Sequence, residues 1–268
     1  MTRDMMKAML WKEWRETRLK WLAFALAFHI PLVIAGLFLA FEESVRFDVL
    51  VMTDGYAPYV LAGALVFQSV FLITAGLFLL SFFAVGSVGT ELDNHSIFFI
   101  FDRPVRRWQV LLLKFVVGAV QTTTCVGLSV MTTVALVYVA LAAMATNVTL
   151  DGSWAAFVNV ITNATRGAVW TMTIALMVYA ATFLFSVVFE KWWIAIIAGG
   201  VSLVVMFYNL GDNLFEWVVS SATNKPGSDE FDLEFYGRLD PVPLMMMLVV
   251  TAGFYFASQY VFERKEMR

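Results

Sequence analysis

The stretch Gly89-Thr-Glu-Leu-Asp-Asn-His-Ser-Ile-Phe-Phe-Ile-Phe-Asp-Arg-Pro-Val-Arg-Arg-Trp-Gln109 decides how this sequence is read. It is a short polar and aromatic joint between two long apolar runs, residues 59–88 before it and 110–143 after it. As helices rising roughly 1.5 Å per residue, such runs extend about 45–50 Å, whereas a bilayer's hydrocarbon core is about 30 Å thick. Both helices should overhang the membrane and meet in water. Inside the joint, Glu91, Asp93 and Asp102 alternate with Arg103, Arg106 and Arg107. Pro104 disfavours helix in Arg103 before it, so the joint should break there. The expectation is a charged elbow at the membrane surface, either a solvated loop or a docking surface for a soluble partner. In the second case Glu91, Asp93, Arg103, Pro104, Arg106 and Arg107 are its contact residues.

Working outward, the composition places the whole chain in a membrane. Of 268 residues, 60% are hydrophobic and only 15% charged. A soluble domain is about 45–50% apolar and about 25% charged. A net charge of −3, with the basic residues gathered beside apolar runs, speaks against a nucleic-acid partner. The single cysteine, Cys125, lies within an apolar run and excludes an internal disulfide framework or a cysteine metal site. The first apolar run is too long for a cleavable signal, and no small-x-small cleavage pattern follows it.

Residues 1–20 carry six basic side chains. At about 100° per residue, Met6, Leu10, Trp14, Thr17 and Trp21 share one side, on which Glu13 intrudes. The reading is an amphipathic elbow helix in the cytoplasmic interface, with Lys12, Glu13, Trp14 and Arg15 at its centre and its tryptophans at headgroup depth. A first span follows at residues 21–41, which Pro31 should kink. His29, near its middle, has either a packing and hydrogen-bonding role or a role toward a substrate. The second span, 59–88, is rich in glycine, as close helix packing in lipid requires.

The third span, 110–143, holds Gln121, Thr122, Cys125, Ser129, Thr132 and Thr133 on about one third of its circumference. Such a face meets other helices or lines a cavity. Gln121, Thr122, Ser129, Thr132 and His29 are accordingly the candidates for lining a pathway. A short interfacial helix is expected around Trp154–Ile161, then spans at 167–189, 192–210 and 244–262. The fourth and fifth should be joined by a tight turn at Glu190-Lys191-Trp192-Trp193. The outer loop, 211–243, carries seven acids against two basic residues; either this charge only solvates the loop, or its apolar cluster of Leu214, Phe215, Trp217 and Val218 rests as a short helix on the outer ends of the spans. With the N-terminus inside, the inner segments hold fourteen basic residues and the outer ones four, which sets both ends in the cytoplasm.

No catalytic motif is visible: there is no phosphate-binding loop, zinc helix or nucleophile elbow. The two histidines, His29 and His95, are too few for a multi-histidine metal site. Every acid lies at or beyond a predicted span end, unlike the paired intramembrane carboxylates of a proton-coupled carrier.

The basic leader containing Lys12-Glu13, six spans, Glu91 followed by Pro104-Val-Arg-Arg107 and Lys114, and an enlarged outer loop before the last span resemble the permease subunits of type-2 ATP-binding-cassette (ABC) exporters. The chain departs from that pattern at Asn94-His95-Ser96, where many relatives have a glycine-threonine-leucine-like turn. The resemblance implies an all-α, single-domain, six-span transmembrane subunit of an ATP-driven exporter, in a prokaryotic cytoplasmic (inner) membrane. Residues 89–109 would be the coupling loop, seated on a separate ATPase subunit present in two copies. A second permease subunit, alike or different, would complete the assembly. The chain itself would be no enzyme and hold no cofactor, ATP and Mg being bound by the partner. An ATP-independent channel or secondary carrier is the alternative.

Overall fold

A computed structural model describes residues 3–30, 33–34, 37, 68, 71, 76–94, 106–143, 154–189, 191–202 and 241–264. Among the described residues every regular element is helical. In chain order these are α1 (Arg3–Ala27), α2 (Leu77–Asp93), α3 (Arg107–Ala143), α4 (Trp154–Val188), α5 (Trp192–Ser202) and α6 (Pro241–Arg264). Three of them hold stretches long and apolar enough to cross a membrane: Arg107–Thr133 in α3, Ala168–Val188 in α4 and Leu244–Arg264 in α6. Parts of the expected spans at 21–41, 59–88 and 192–210 fall on residues outside those described. So do joint residues 95–105, with Arg103 and Pro104, and the outer loop from 211 to 240.

The helix ends follow local chemistry. Helix α2 stops at Asn94, whose backbone N–H still donates to the Thr90 carbonyl at 3.1 Å. Helix α3 resumes three residues after Pro104 and carries only Arg107 and Lys114 as charges along its 37 residues. Near Pro31, which has no N–H to give, α1 ends in a turn at Phe28–His29, with the His29 N–H on the Leu26 carbonyl at 3.0 Å. Phe189 closes α4 on the Phe185 carbonyl, and Ile194 opens α5 on Lys191.

Two boundaries differ from expectation. Helix α1 runs unbroken from Arg3 to Ala27, across the expected boundary at residues 20 and 21. The short interfacial helix expected at Trp154 is the first part of α4, which continues for 35 residues without a break at Gly167. Neither junction holds a proline, so nothing in the local backbone interrupts helical hydrogen bonding.

Pairs of contacts fix helix directions. Glu13 meets Lys114, Thr17 meets Gln121, Trp21 meets Thr124 and His29 meets Thr132, at separations of 101, 104, 103 and 103 residues. A near-constant separation means that α1 and α3 run parallel, side by side. Helix α2 is antiparallel to α1, since Phe24 meets Phe83 while Lys12 meets Glu91. Helix α4 is antiparallel to α3: Tyr179 reaches Phe115, and Met172 lies beside Gly127. The start of α3, the ends of α2 and α4 and the N-terminal half of α1 therefore share one end of the bundle.

The core is centred on α4. Phe115 of α3 packs against Tyr179 and Phe183 of α4 and Tyr255 of α6, with ring centroids 5.4, 5.3 and 4.8 Å away. Tyr179 is fully buried and donates its hydroxyl to the Phe115 carbonyl at 3.2 Å. It fits because Gly118 has no side chain: a Cβ there would lie 2.2 Å from the Tyr179 hydroxyl oxygen.

Candidate functional site

At the shared end, four charged residues from three helices form one network. The Lys114 ammonium donates to Glu13 Oε1 at 2.6 Å and to Glu91 Oε1 at 3.0 Å. Lys12 donates to the same Glu91 oxygen at 3.3 Å and lies 3.9 Å from Glu16 on its own helix. The Lys114 side chain is 1% exposed and that of Glu91 12%, whereas Lys12 reaches solvent. An isolated ion in such surroundings is strongly disfavoured, so each charge here depends on its partners.

The electrostatics follow from this placement. Burial pushes the Glu13 carboxyl above its usual range and the Glu91 carboxylate adds to the rise, against the opposing pull of the Lys114 ammonium. Burial disfavours the charged form of Lys12, but the carboxylates of Glu91, Glu16 and Glu13 outweigh it and raise its pKa. Two ammonium groups bracket Glu91, and across the four residues the charges balance.

From this knot a polar seam continues along α1 and α3. Gln121 donates to Thr17 at 2.5 Å, the Trp21 indole donates to Thr124 at 3.2 Å, and His29 bonds to Thr132. The other His29 ring nitrogen lies 2.5 Å from the Ala25 carbonyl, in the turn where α1 ends. Gln68 bridges to Ser129 and to the Phe28 carbonyl, the latter at 3.0 Å. The polar face of α3 thus meets another helix. Gln121, Thr122, Ser129 and Thr133 are buried, and Thr132 and His29 lie at the edge of the seam.

The expected docking residues divide. Glu91 and Asp93 belong to the end of α2, where Glu91 faces inward and Asp93 pairs with Lys191 at 2.9 Å on the surface. Arg106 and Arg107 are exposed at the start of α3. In the leader, Glu13 is buried together with Thr17 one turn on, while Trp14 and Arg15 are exposed; Met6 and Leu10 on the Trp14 side are exposed too, so only the strip of Glu13 and Thr17 is turned to the protein. Thr17, Trp21, Gln68, Thr124 and Lys191 were not singled out from sequence as partners. Glu13 was the available signal: a carboxylate on an otherwise apolar side needs an inward partner, and Thr17 follows it by one turn.

Among the described residues no group of three or more His, Cys, Asp or Glu side chains is arranged to hold a metal ion. Chemically, the site can fix three helices against one another through charge and hydrogen bonding. No protein-family model and no curated protein sequence matches this chain.

Proposed function

We propose that this chain is the transmembrane subunit of an ATP-driven type-2 ABC exporter, working with a separate ATPase and a second permease subunit in a prokaryotic inner membrane. One observation carries the reading. Lys12, Glu13, Glu91 and Lys114, positions on which the family resemblance rests, are joined in a single network. That network ties together the two helices flanking segment 95–105. A push on this segment by a soluble motor would reach α2 and α3 as one body, because rigid, paired elements transmit displacement better than independent ones. Arg106 and Arg107, exposed beside it, suit an acidic groove on such a motor and would set its register.

In this reading the chain hydrolyses nothing; ATP and Mg are bound by the partner. The alternative, an ATP-independent channel or carrier, draws support from Lys114, buried within a stretch long and apolar enough to cross a membrane, since ionisable groups there mark ion pathways in many carriers. Reconstitution separates the two. Purified chain should lack ATPase activity, co-purify with an ATPase subunit, and transport only when that subunit and ATP are present. Robust transport by this chain alone in ATP-free liposomes overturns the exporter and favours the carrier.

A further inference from the structure

The outward face of α1 carries a charge pattern that the helix bundle leaves unused. Trp11, Arg15, Arg18 and Leu22 recur at helical spacing and fall within about 60° of one another, on the side opposite Glu13. All four are exposed, Trp11 at 62%. Lys7 lies at the edge of the same face and is also exposed. Among the described residues no ion pair involves Lys7, Arg15 or Arg18, although acids are near. Glu16 sits beside Lys12, Glu13 is held by Lys114, and Asp4 lies a full turn or more before Arg15. Lys20 points elsewhere: its ammonium lies against Gly86 of α2.

Along this face the chemistry changes once. Up to Arg18 it is basic and aromatic; from Leu19, at 72% exposure, through Leu22 and Leu26 it is apolar and exposed. Unpaired guanidinium groups set just above an exposed apolar stripe match the boundary between headgroups and acyl chains, with tryptophans at its level. A neutral headgroup surface would leave three cations without counter-charge.

We propose that this face of α1 binds acidic phospholipid headgroups, with Arg15 and Arg18 as the principal phosphate contacts and Lys7 beside them. Guanidinium groups pair with phosphate in a two-pronged geometry, which favours arginine at these positions. The proposal concerns the lipid side of the molecule and is independent of any ATPase.

The test measures association of spin-labelled phosphatidylglycerol and phosphatidylcholine with the full-length protein in phosphatidylcholine vesicles. Wild type should prefer the acidic lipid, and salt should weaken that preference. Arg15→Gln/Arg18→Gln should lower the association constant for phosphatidylglycerol by roughly ten- to thirtyfold, leaving that for phosphatidylcholine unchanged. Arg15→Lys/Arg18→Lys, which keeps both charges, should retain most of the preference. Equal association of the two lipids with wild type overturns the proposal and assigns the face to an acidic protein segment. An undiminished preference in the Gln variant, with the protein still helical and monodisperse, overturns it too.

Discussion

Lys114 Nζ lies 2.6 Å from Glu13 Oε1, and both side chains are almost wholly withdrawn from solvent although 101 residues separate them in sequence. The pair joins the first described helix to the third and makes Glu13 an inward-facing residue. Removing one partner strands the other. Lys114→Met should therefore destabilise the protein by about 3–5 kcal/mol, the usual cost of breaking a buried ion pair from one side. The double variant Glu13→Gln/Lys114→Met should cost less than the two single changes added together. Thermal unfolding in detergent measures both, and an unchanged midpoint in Lys114→Met would refute the network.

The pH dependence has a defined sign. The raised Glu13 pKa means that the folded state holds a proton the unfolded state has released, across the window from the ordinary carboxylate value up to the raised one. Stability therefore falls as pH rises through that window. Glu13→Gln should flatten this slope when its melting profile is subtracted from that of wild type. Lys12 acts at the other extreme. Its raised pKa contributes stability that is complete below the ordinary lysine value and lost as pH climbs through the raised one. Lys12→Gln should remove only that alkaline loss.

Two glycines on α3 should respond in opposite ways to the same change. At Gly118 an added Cβ meets the Tyr179 ring and hydroxyl at 2.2–2.8 Å; at Gly127 it meets only the Met172 sulfur, at 3.6 Å. Alanine gains roughly 1 kcal/mol over glycine in a helix interior. Gly127→Ala should thus be neutral or stabilising. Gly118→Ala should lose about 1–3 kcal/mol through overpacking. Parallel melting curves decide, and equal effects at both positions would contradict the packing of α3 against α4.

Within the exporter reading, Arg107 and Glu91 should separate coupling from folding. Arg107→Ala, at an exposed position, should leave insertion and melting nearly intact while weakening stimulation of the partner's ATP hydrolysis. Glu91→Ala should impair both, because its carboxylate holds Lys12 and Lys114 together. Normal stimulation by Arg107→Ala in an assembled complex would count against docking at the start of α3. Asp93→Ala, which breaks only the surface pair with Lys191, should change stability by no more than about 1 kcal/mol.

Much of this architecture was legible in the order of residues. Hydropathy and length placed α3 at 110–143, against Arg107–Ala143 observed, and α6 at 244–262, against Pro241–Arg264. The polar side of α3 was legible as periodicity, because Gln121, Cys125, Ser129 and Thr132 recur at helical spacing. Its counterpart was not. Periodicity reports a face but not what covers it, and the covering residues Thr17, Trp21 and His29 lie about a hundred positions upstream. The inward partner of the leader was hidden for a related reason. Basic and aromatic residues there suggested a helix flat on the interface, and Glu13 read as a blemish. Long-range charge pairing with Lys114, invisible to local pattern, turned that blemish into the anchor. The continuity of α4 is not legible in local pattern, because Arg166 and the polar residues before it resemble a boundary, while a helix tolerates them where no proline intervenes.

The parallel register of α1 and α3 also sets an order of events at the ribosome. Helix α1 leaves the exit tunnel first, carrying a carboxylate at Glu13 whose lysine is encoded 101 residues later. At about 5–20 residues per second, that lysine follows after roughly 5–20 seconds. Throughout this interval α1 has its hydroxyl and carboxyl side turned toward whatever surrounds the nascent chain, and α2 reaches it before α3 does. The native seam can close only by admitting α3 against a helix already delivered. The seam on the first helix is thus completed only when the third arrives, and the delay is written into the spacing between Glu13 and Lys114.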